Sequence, residues 1–427
     1  MGARIEGVPF GSMTPLDDVR AVVLGHCGPG PIVSVTADEA RGLVLAGDVV
    51  ATEPVPPFDN TAVDGYAVRA QDVAHVPVML DVIGELAAGG VATDVVRPGT
   101  AIRIMTGAPI PEGCDAVVMV EETERVGESK VTIRTSVSVG DAIRRAGSDV
   151  QVGTTVLTHG VVVTPMVEGV LASINARTVS VYARPRVGIL STGDELVDDG
   201  SPLQPGQIRE SNRTMLRRII SETGVDVIDI GIVRDDESVL EQVLRDAVNV
   251  HGCDALVTSG GVSMGDYDVV KAVLGRIADM QWFQIAMKPA KPFAFGTLTN
   301  YAGVAIPVFG LPGNPVSSLM SFELLARPAL KSMMGYRNPY RARVKAIVDE
   351  DVLRKPDGKT HFDRVHAYWG DTDGRVHVRR TGPQGSHQLA ATAIANAIMA
   401  VPDGTGVHAG DEVTVSFLGP ESGPHAS

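Results

Sequence analysis

Basic charge is what this 427-residue sequence is short of: 37 Lys and Arg stand against 51 Asp and Glu, a formal net charge of −14. A long, sequence-independent nucleic-acid surface needs a basic face, so nucleic acid is not an expected partner. Aromatic residues make up only 4% of the chain against 44% hydrophobic residues in all, so the cores must rest on Val, Ile, Leu and Ala. Cysteine is scarce too. Cys27, Cys114 and Cys253 form no CxxC pair and no zinc spacing, and are read as reduced structural thiols of a cytoplasmic protein. Long apolar runs are missing: the most apolar window, GVVVTPMVEGVLASINA, is interrupted by Pro165 and Glu168 and is too short to span a bilayer. The opening MGARIEGVPFGSMTP has no apolar signal segment, and Glu6 breaks the myristoylation pattern. The sequon Asn212-Arg213-Thr214 has no meaning in a cytoplasmic protein.

What is present in quantity is turn-forming residues, 47 Gly and 27 Pro, as α/β loops and short strands require. A chain of this length suggests two to four domains. Residues 14–50 read as helical, with TADEARGLVLAGDVV starting from a Thr36 cap. Residues 51–153 change to short strands, VPVMLDVIGE, AIRIMTG, DAVVMVEE and KVTIRTSV, and the helical TPMVEGVLASINA follows. From residue 185, strands and helices alternate. RVGIL, VDVIDIGIV, CDALVTSGG and VAIPVFGLPGNP read as strands. SNRTMLRRIISETG, DDESVLEQVLRDAVNVHG, DVVKAVLGRI and VSSLMSFELLARPALKSMMG read as helices, the second with Val239, Leu240, Val243, Leu244, Ala247 and Val248 on its apolar side. The expected fold is α/β multidomain. A helical linker domain is discontinuous (1–51 with 154–184), a β-rich lateral lobe covers 52–153, a doubly wound, mostly parallel α/β domain covers 185–335, and a C-terminal β-barrel-like domain covers 336–427.

In open parallel sheets, ligands bind outside the carboxyl ends of the strands. Four such ends here are polar or glycine-rich: Ser191-Thr192-Gly193-Asp194-Glu195, Arg234-Asp235-Asp236, SGGVSMGDYD from Ser259 to Asp268, and Gly310-Leu311-Pro312-Gly313-Asn314-Pro315. Gly-rich turns and a helix N-terminus suit an anion such as phosphate. The carboxylates Glu195, Asp235 and Asp268 would repel a bare phosphate, so a Mg²⁺-like ion is expected to bridge them to it. An acidic turn also caps the following helix, and Asp236 is read that way. The hairpin MQWFQIAMKPAKPFAFG adds Lys288 and Lys291, two ammonium groups able to hold an oxyanion. In the lobe, PPFDNTAVDGYAVR, IRIMTGAPIPEG and GDAIRRAGSDV place Asp64, Thr106, Arg144 and Asp149 in loops, which β-turn chemistry alone could also explain.

These strings, with STGDEL, MKPAKP and GLPGNPVS, closely resemble the bacterial MoeA proteins and the homologous E domain of gephyrin and plant Cnx proteins, in order from about residue 14 to 415. The resemblance implies a homodimer of four-domain subunits whose cleft forms with the partner's lateral lobe. The implied activity is that of a molybdopterin molybdenumtransferase, in which adenylylated molybdopterin and molybdate react with Mg²⁺-dependent release of AMP and insertion of the metal. It implies Mg²⁺ and catalytic roles for Glu195, Asp235 and Asp268, lobe positions facing the cleft that are catalytic at Asp64 and Thr106 and substrate-binding at Arg144 and Asp149, and pterin-phosphate contacts at Gly260, Gly261, Ser263, Pro312 and Pro315. Lys288, Lys291, Arg364 and Ser386 would form the molybdate pocket. Transient contact with the molybdopterin adenylyltransferase follows, and no membrane partner is implied. The chain departs from the family pattern at Ala290, where KPGKP is usual, at Gln284, often Lys, and at Glu210, where Asp is familiar. Rival readings are the molybdopterin adenylyltransferase itself, which would not need the lobe or the C-terminal domain, and a non-catalytic pterin carrier or scaffold, which could dispense with the three carboxylates.

Overall fold

The computed structural model describes residues 13–91, 93–262 and 268–419. The chain forms two compact units: one comprises Ser34–Arg41 with Leu45–Ser180, and the other comprises the segments before, between and after them.

Helix α1 (Leu16–His26) buries Val19, Val22 and Val23 at helical spacing. The further helix expected from Thr36 does not form. Thr36 and Glu39 do complete a reciprocal cap, Thr36 Oγ1 donating to Glu39 Oε2 at 2.8 Å and Glu39 N to Thr36 Oγ1 at 3.4 Å. The chain nevertheless makes a single turn, because Gly42 swings to φ +74° and the next amides are claimed elsewhere, Leu45 N by Val161 O and Ala46 N by Ser180 O. Non-local backbone pairing has overridden a local helix signal.

The lobe is a six-stranded mixed sheet of β1 (Gly65–Val68), β2 (Val78–Leu86), β3 (Thr100–Ile104), β4 (Ala116–Met119), β5 (Thr123–Val126) and β6 (Lys130–Ile133), in the order β4-β1-β3-β2-β6-β5. Side chains alternate between two cores. Tyr66, Val68, Leu80 and Val131 lie in one, and Ala67, Ile102, Ile104 and Val117 in the other. Helix α2 (Pro165–Ser173) follows, started by Thr164 Oγ1 accepting from Val167 N and by Pro165 at its first turn.

The α/β domain runs β7 (Arg186–Thr192), α3 (Asn212–Ser221), β8 (Asp226–Val233), α4 (Glu237–Asn249), β9 (Ala255–Ser259), α5 (Val269–Ile277), β10 (Asp279–Gln284), β11 (Pro292–Thr299), β12 (Ala305–Leu311), α6 (Pro315–Ser321) and α7 (Arg327–Met333). Strand order is β8-β7-β9-β12-β11-β10; the first four are parallel and β11 and β10 add an antiparallel hairpin. Strand β9 is buried throughout, as expected of a strand covered on both faces. Helix α4 buries Leu240, Leu244, Ala247 and Val248, but Val239, expected on that side, is 47% exposed at the first turn.

The single helix expected after β12 is interrupted. A π-helical turn, Phe322–Ala326, separates α6 from α7. Pro328 has no N–H to offer Leu324 O, and that carbonyl instead accepts from Arg20 Nε of α1 at 3.1 Å.

The C-terminal strands β13 (Arg343–Val348), β14 (Thr360–Trp369), β15 (Val376–Arg380), β16 (Ala397–Val401) and β17 (Glu412–Phe417) close in the ring β14-β15-β13-β17-β16-β14, a five-stranded barrel filled by Ala346, Val365, Ala367, Val378, Met399 and Val415. The tip of the β10–β11 hairpin reaches this barrel, Met287 and Lys288 pairing with Thr360 and His361 of β14. Among the described residues, no helix is long and apolar enough to cross a membrane.

Candidate active site

Four strand ends of the α/β sheet open onto one cleft of about 640 Å³, lined by Thr192, Gly193, Glu195, Asp235, Gly260, Gly261, Asp268, Pro312, Gly313 and Asn314 among others. The convergence expected from the sequence is therefore present. Gly193 turns at φ +146°, a conformation that residues with a Cβ rarely adopt. Gly261 turns at φ +73°, and a Cβ on it would fall 2.3 Å from Val270 Cγ2 and 2.8 Å from Asp268 Oδ1. Ser263 lies outside the described residues. Pro315 is not on the cleft wall; it starts α6 behind it, where its missing N–H costs nothing.

The carboxylates differ in local duty. Asp268 Oδ1 caps α5, accepting from Val270 N at 3.1 Å and Lys271 N at 3.3 Å. The Asp235 and Asp194 loops exchange 3.4 Å bonds, Asp194 N to Asp235 Oδ2 and Asp235 N to Asp194 Oδ1. Asp236 is the cap of α4, as read from the sequence, and bonds from Ser238 Oγ and from the Val239 and Ser238 amides hold its carboxyl below the usual range. Glu195, Asp235 and Asp268 share the cleft wall, yet among the described residues no three His, Cys, Asp or Glu side chains are arranged to hold a metal ion alone. Such a donor set fits Mg²⁺ all the same, because that ion takes one or two carboxylates and completes its shell with water and substrate phosphate.

Two residues that sequence reasoning did not select for the site organise it. Glu210 is buried, and its carboxylate accepts from Ser191 Oγ at 3.0 Å and from Arg213 N at 2.6 Å, joining the end of β7 to the start of α3. Asn212 Nδ2 donates to Ser259 Oγ at 2.9 Å and to Gly313 O at 2.7 Å. The only sequence signal at Asn212 was a glycosylation sequon. Its partners lie 47 and 101 positions away, beyond any local pattern.

At the hairpin tip, Lys288 and Lys291 are both exposed and flank buried Ala290, whose φ is +74°. The tip is stapled on both sides, by Ala286 N to Thr14 O at 2.8 Å and by Thr360 N to Ala286 O at 3.0 Å. Arg364 differs from the expectation of an oxyanion ligand. It is 1% exposed, and its guanidinium donates to Pro383 O at 2.7 Å, Gly385 O at 3.3 Å and Gln384 Oε1 at 3.2 Å. It holds the 383–388 loop, and Ser386 O in that loop accepts from Val316 N of α6 at 3.0 Å.

In the lobe, Asp64 Oδ1 accepts from Thr106 N at 2.7 Å and Thr106 Oγ1 at 2.6 Å, bonds that lower the carboxyl's pKa. Arg144 pairs in register with Asn60, and Asp149 N donates to Val55 O at 2.9 Å; both side chains are exposed.

A mostly parallel sheet whose strand ends carry glycine turns and carboxylates, with a lysine-bearing hairpin spliced to a closed barrel, has the chemistry that suits phosphorylated and anionic ligands. Comparison with known proteins narrows the class. Residues 14–175 match the MoeA N-terminal region (domain I and II), residues 188–332 a probable molybdopterin binding domain, and residues 346–418 the MoeA C-terminal region (domain IV). The molybdopterin molybdenumtransferase 2 of Mycobacterium tuberculosis is 42% identical over 396 residues, 90% of this chain and 94% of that protein. The molybdopterin molybdenumtransferase of Haemophilus influenzae is 36% identical over 405 residues, 94% of this chain and 98% of that one. The crystal structure of a molybdopterin biosynthesis MoeA protein from Pyrococcus horikoshii OT3 superposes with a TM-score of 0.78 at 31% identity, covering 95% of this chain and 100% of the other. The chain belongs to the MoeA family.

Proposed function

We propose that this chain is a molybdopterin molybdenumtransferase of molybdenum cofactor biosynthesis, converting adenylylated molybdopterin and molybdate into the metal-loaded pterin with release of AMP. The observation that carries the reading is the convergence of Glu195, Asp235 and Asp268 with Gly260, Gly261 and Pro312 in one cleft. The names of the relatives support the same reaction.

Backbone amides of the glycine turns, with Pro312 shaping the wall, cradle the pterin phosphate. Glu195, Asp235 and Asp268 hold Mg²⁺, which when bound offsets the charge gathering on the leaving phosphate of the anhydride. Water adds across that anhydride, giving AMP and molybdopterin. Lys288 and Lys291 hold molybdate by charge close to the dithiolene, so that an oxo group leaves as water while two thiols give up their protons and bind the metal. Arg364 serves this pocket by fixing the loop of Ser386. Asp64, Thr106, Arg144 and Asp149 contribute further substrate contacts. The chain works as a cytoplasmic homodimer that receives its substrate by transient contact with the adenylyltransferase.

Reconstitution with adenylylated molybdopterin and molybdate should yield equal amounts of AMP and metal-loaded pterin. Pyrophosphate from ATP and molybdopterin, without molybdate, would instead identify an adenylyltransferase. Asp268→Asn keeps a cap-competent side chain, so the variant should fold with an unchanged melting temperature while AMP release falls about a hundredfold or more. Normal turnover by it would remove Asp268 from the reaction.

A further inference from the structure

We propose that Asn212 is a positioning residue for the cleft, a clasp that sets the spacing of the two phosphate-binding loops; this rests on the molybdenumtransferase reading and adds a residue to it. Both hydrogens of its amide are spent on protein acceptors at different strand ends: one on Ser259 Oγ, immediately before the Gly260-Gly261 turn, the other on Gly313 O in the loop after β12. The loops it spans are in close approach, a Cβ on Gly313 standing 3.8 Å from Gly260 Cα.

The chemistry of the clasp is specific to an amide. Gly313 O can only accept, so the group facing it must donate. The arm itself is anchored, because buried Glu210 fixes the start of α3 through Ser191 Oγ and the amides of Arg213 and Thr214. A short side chain on a fixed helix start has little freedom, so its two bonds of 2.9 and 2.7 Å set where Gly313 lies beyond the loop roots, where Gly260 N already donates to Leu311 O at 3.0 Å. Glycine turns with positive φ, +98° at Gly260 and +73° at Gly261, supply no side-chain packing of their own to hold that placement. Asn212 is not on the cleft wall, so its action on the ligand is indirect.

The test compares Asn212→Asp and Asn212→Ala with wild type, measuring KM and kcat for AMP release from adenylylated molybdopterin, the Kd for that substrate by calorimetry without molybdate, and the melting temperature. Asp has the same shape but cannot donate to Gly313 O, so both variants should raise KM and Kd together, roughly tenfold, the loss expected for one such bond, with kcat changed less than threefold. Arg218→Ala, at an exposed position further along the same helix, serves as control and should leave KM unchanged. The inference is overturned if the Asn212 variants lower the melting temperature but bind substrate like wild type, or if they lose kcat alone. Failure of wild type to release AMP would strike at the molybdenumtransferase reading instead; the Kd comparison would still decide the clasp.

Discussion

Ala290 stands where the backbone turns through φ +74°, a conformation in which a Cβ is crowded and glycine is not. Replacing it by glycine should raise stability by ~1 kcal/mol, read as a higher melting temperature; no change would mean that the packing of this buried methyl offsets the relief. Arg364 gives the opposite expectation. A lysine cannot reproduce a planar fork that reaches Pro383 O, Gly385 O and Gln384 Oε1 together, so Arg364→Lys should destabilise by roughly 2–4 kcal/mol and loosen the Ser386 loop, measured by chemical denaturation. At this scale the carboxylates were legible in the sequence because acids placed at strand ends have few places to point. Arg364 was not, since nothing in HFDRV says that its guanidinium is consumed by carbonyls 19 to 21 residues downstream. Asn212 stayed hidden for the same reason.

Among the elements, the α/β strands and helices followed their apolar periodicity closely. The failures came where long-range pairing or a missing N–H intervened: the turn at Thr36–Glu39 in place of a helix, and the π turn ahead of Pro328. The barrel contains an element-level joint invisible to pattern reading. His377 of β15 shares Nδ1 with Asp349 Oδ1 at 2.6 Å, just past β13, and Nε2 with Asp373 Oδ2 at 3.1 Å, in the β14–β15 turn. These bonds, that to Asp349 first, raise the imidazole's pKa above its ordinary value. A raised folded pKa means that the joint stabilises fully below about pH 6.5, the unfolded value, and fades as pH rises through the folded value. The melting temperature of wild type should therefore exceed that of His377→Gln at pH 6, and the gap should narrow by pH 9. A constant gap would show that protonation plays no part.

For the molecule as a whole, apolar periodicity announced the run of strands and helices from residue 185, but not how the segments are spliced. The β10–β11 hairpin belongs to the α/β sheet at its base and to the barrel at its tip, where Met287 and Lys288 lie beside Thr360 and His361. Val365 is fully buried in the barrel. Val365→Ala should cost about 1–3 kcal/mol and speed hydrogen exchange at Ala286 and Thr360 in step, with weaker molybdate binding and unaltered affinity for the nucleotide half of the substrate. Exchange at Ala286 that ignores the barrel would refute the coupling. Under the proposed assignment, the lysines for the cargo hang partly on the barrel while the glycine turns for the carrier do not: damage confined to the barrel would leave an enzyme that still accepts its organic ligand yet has little to load onto it.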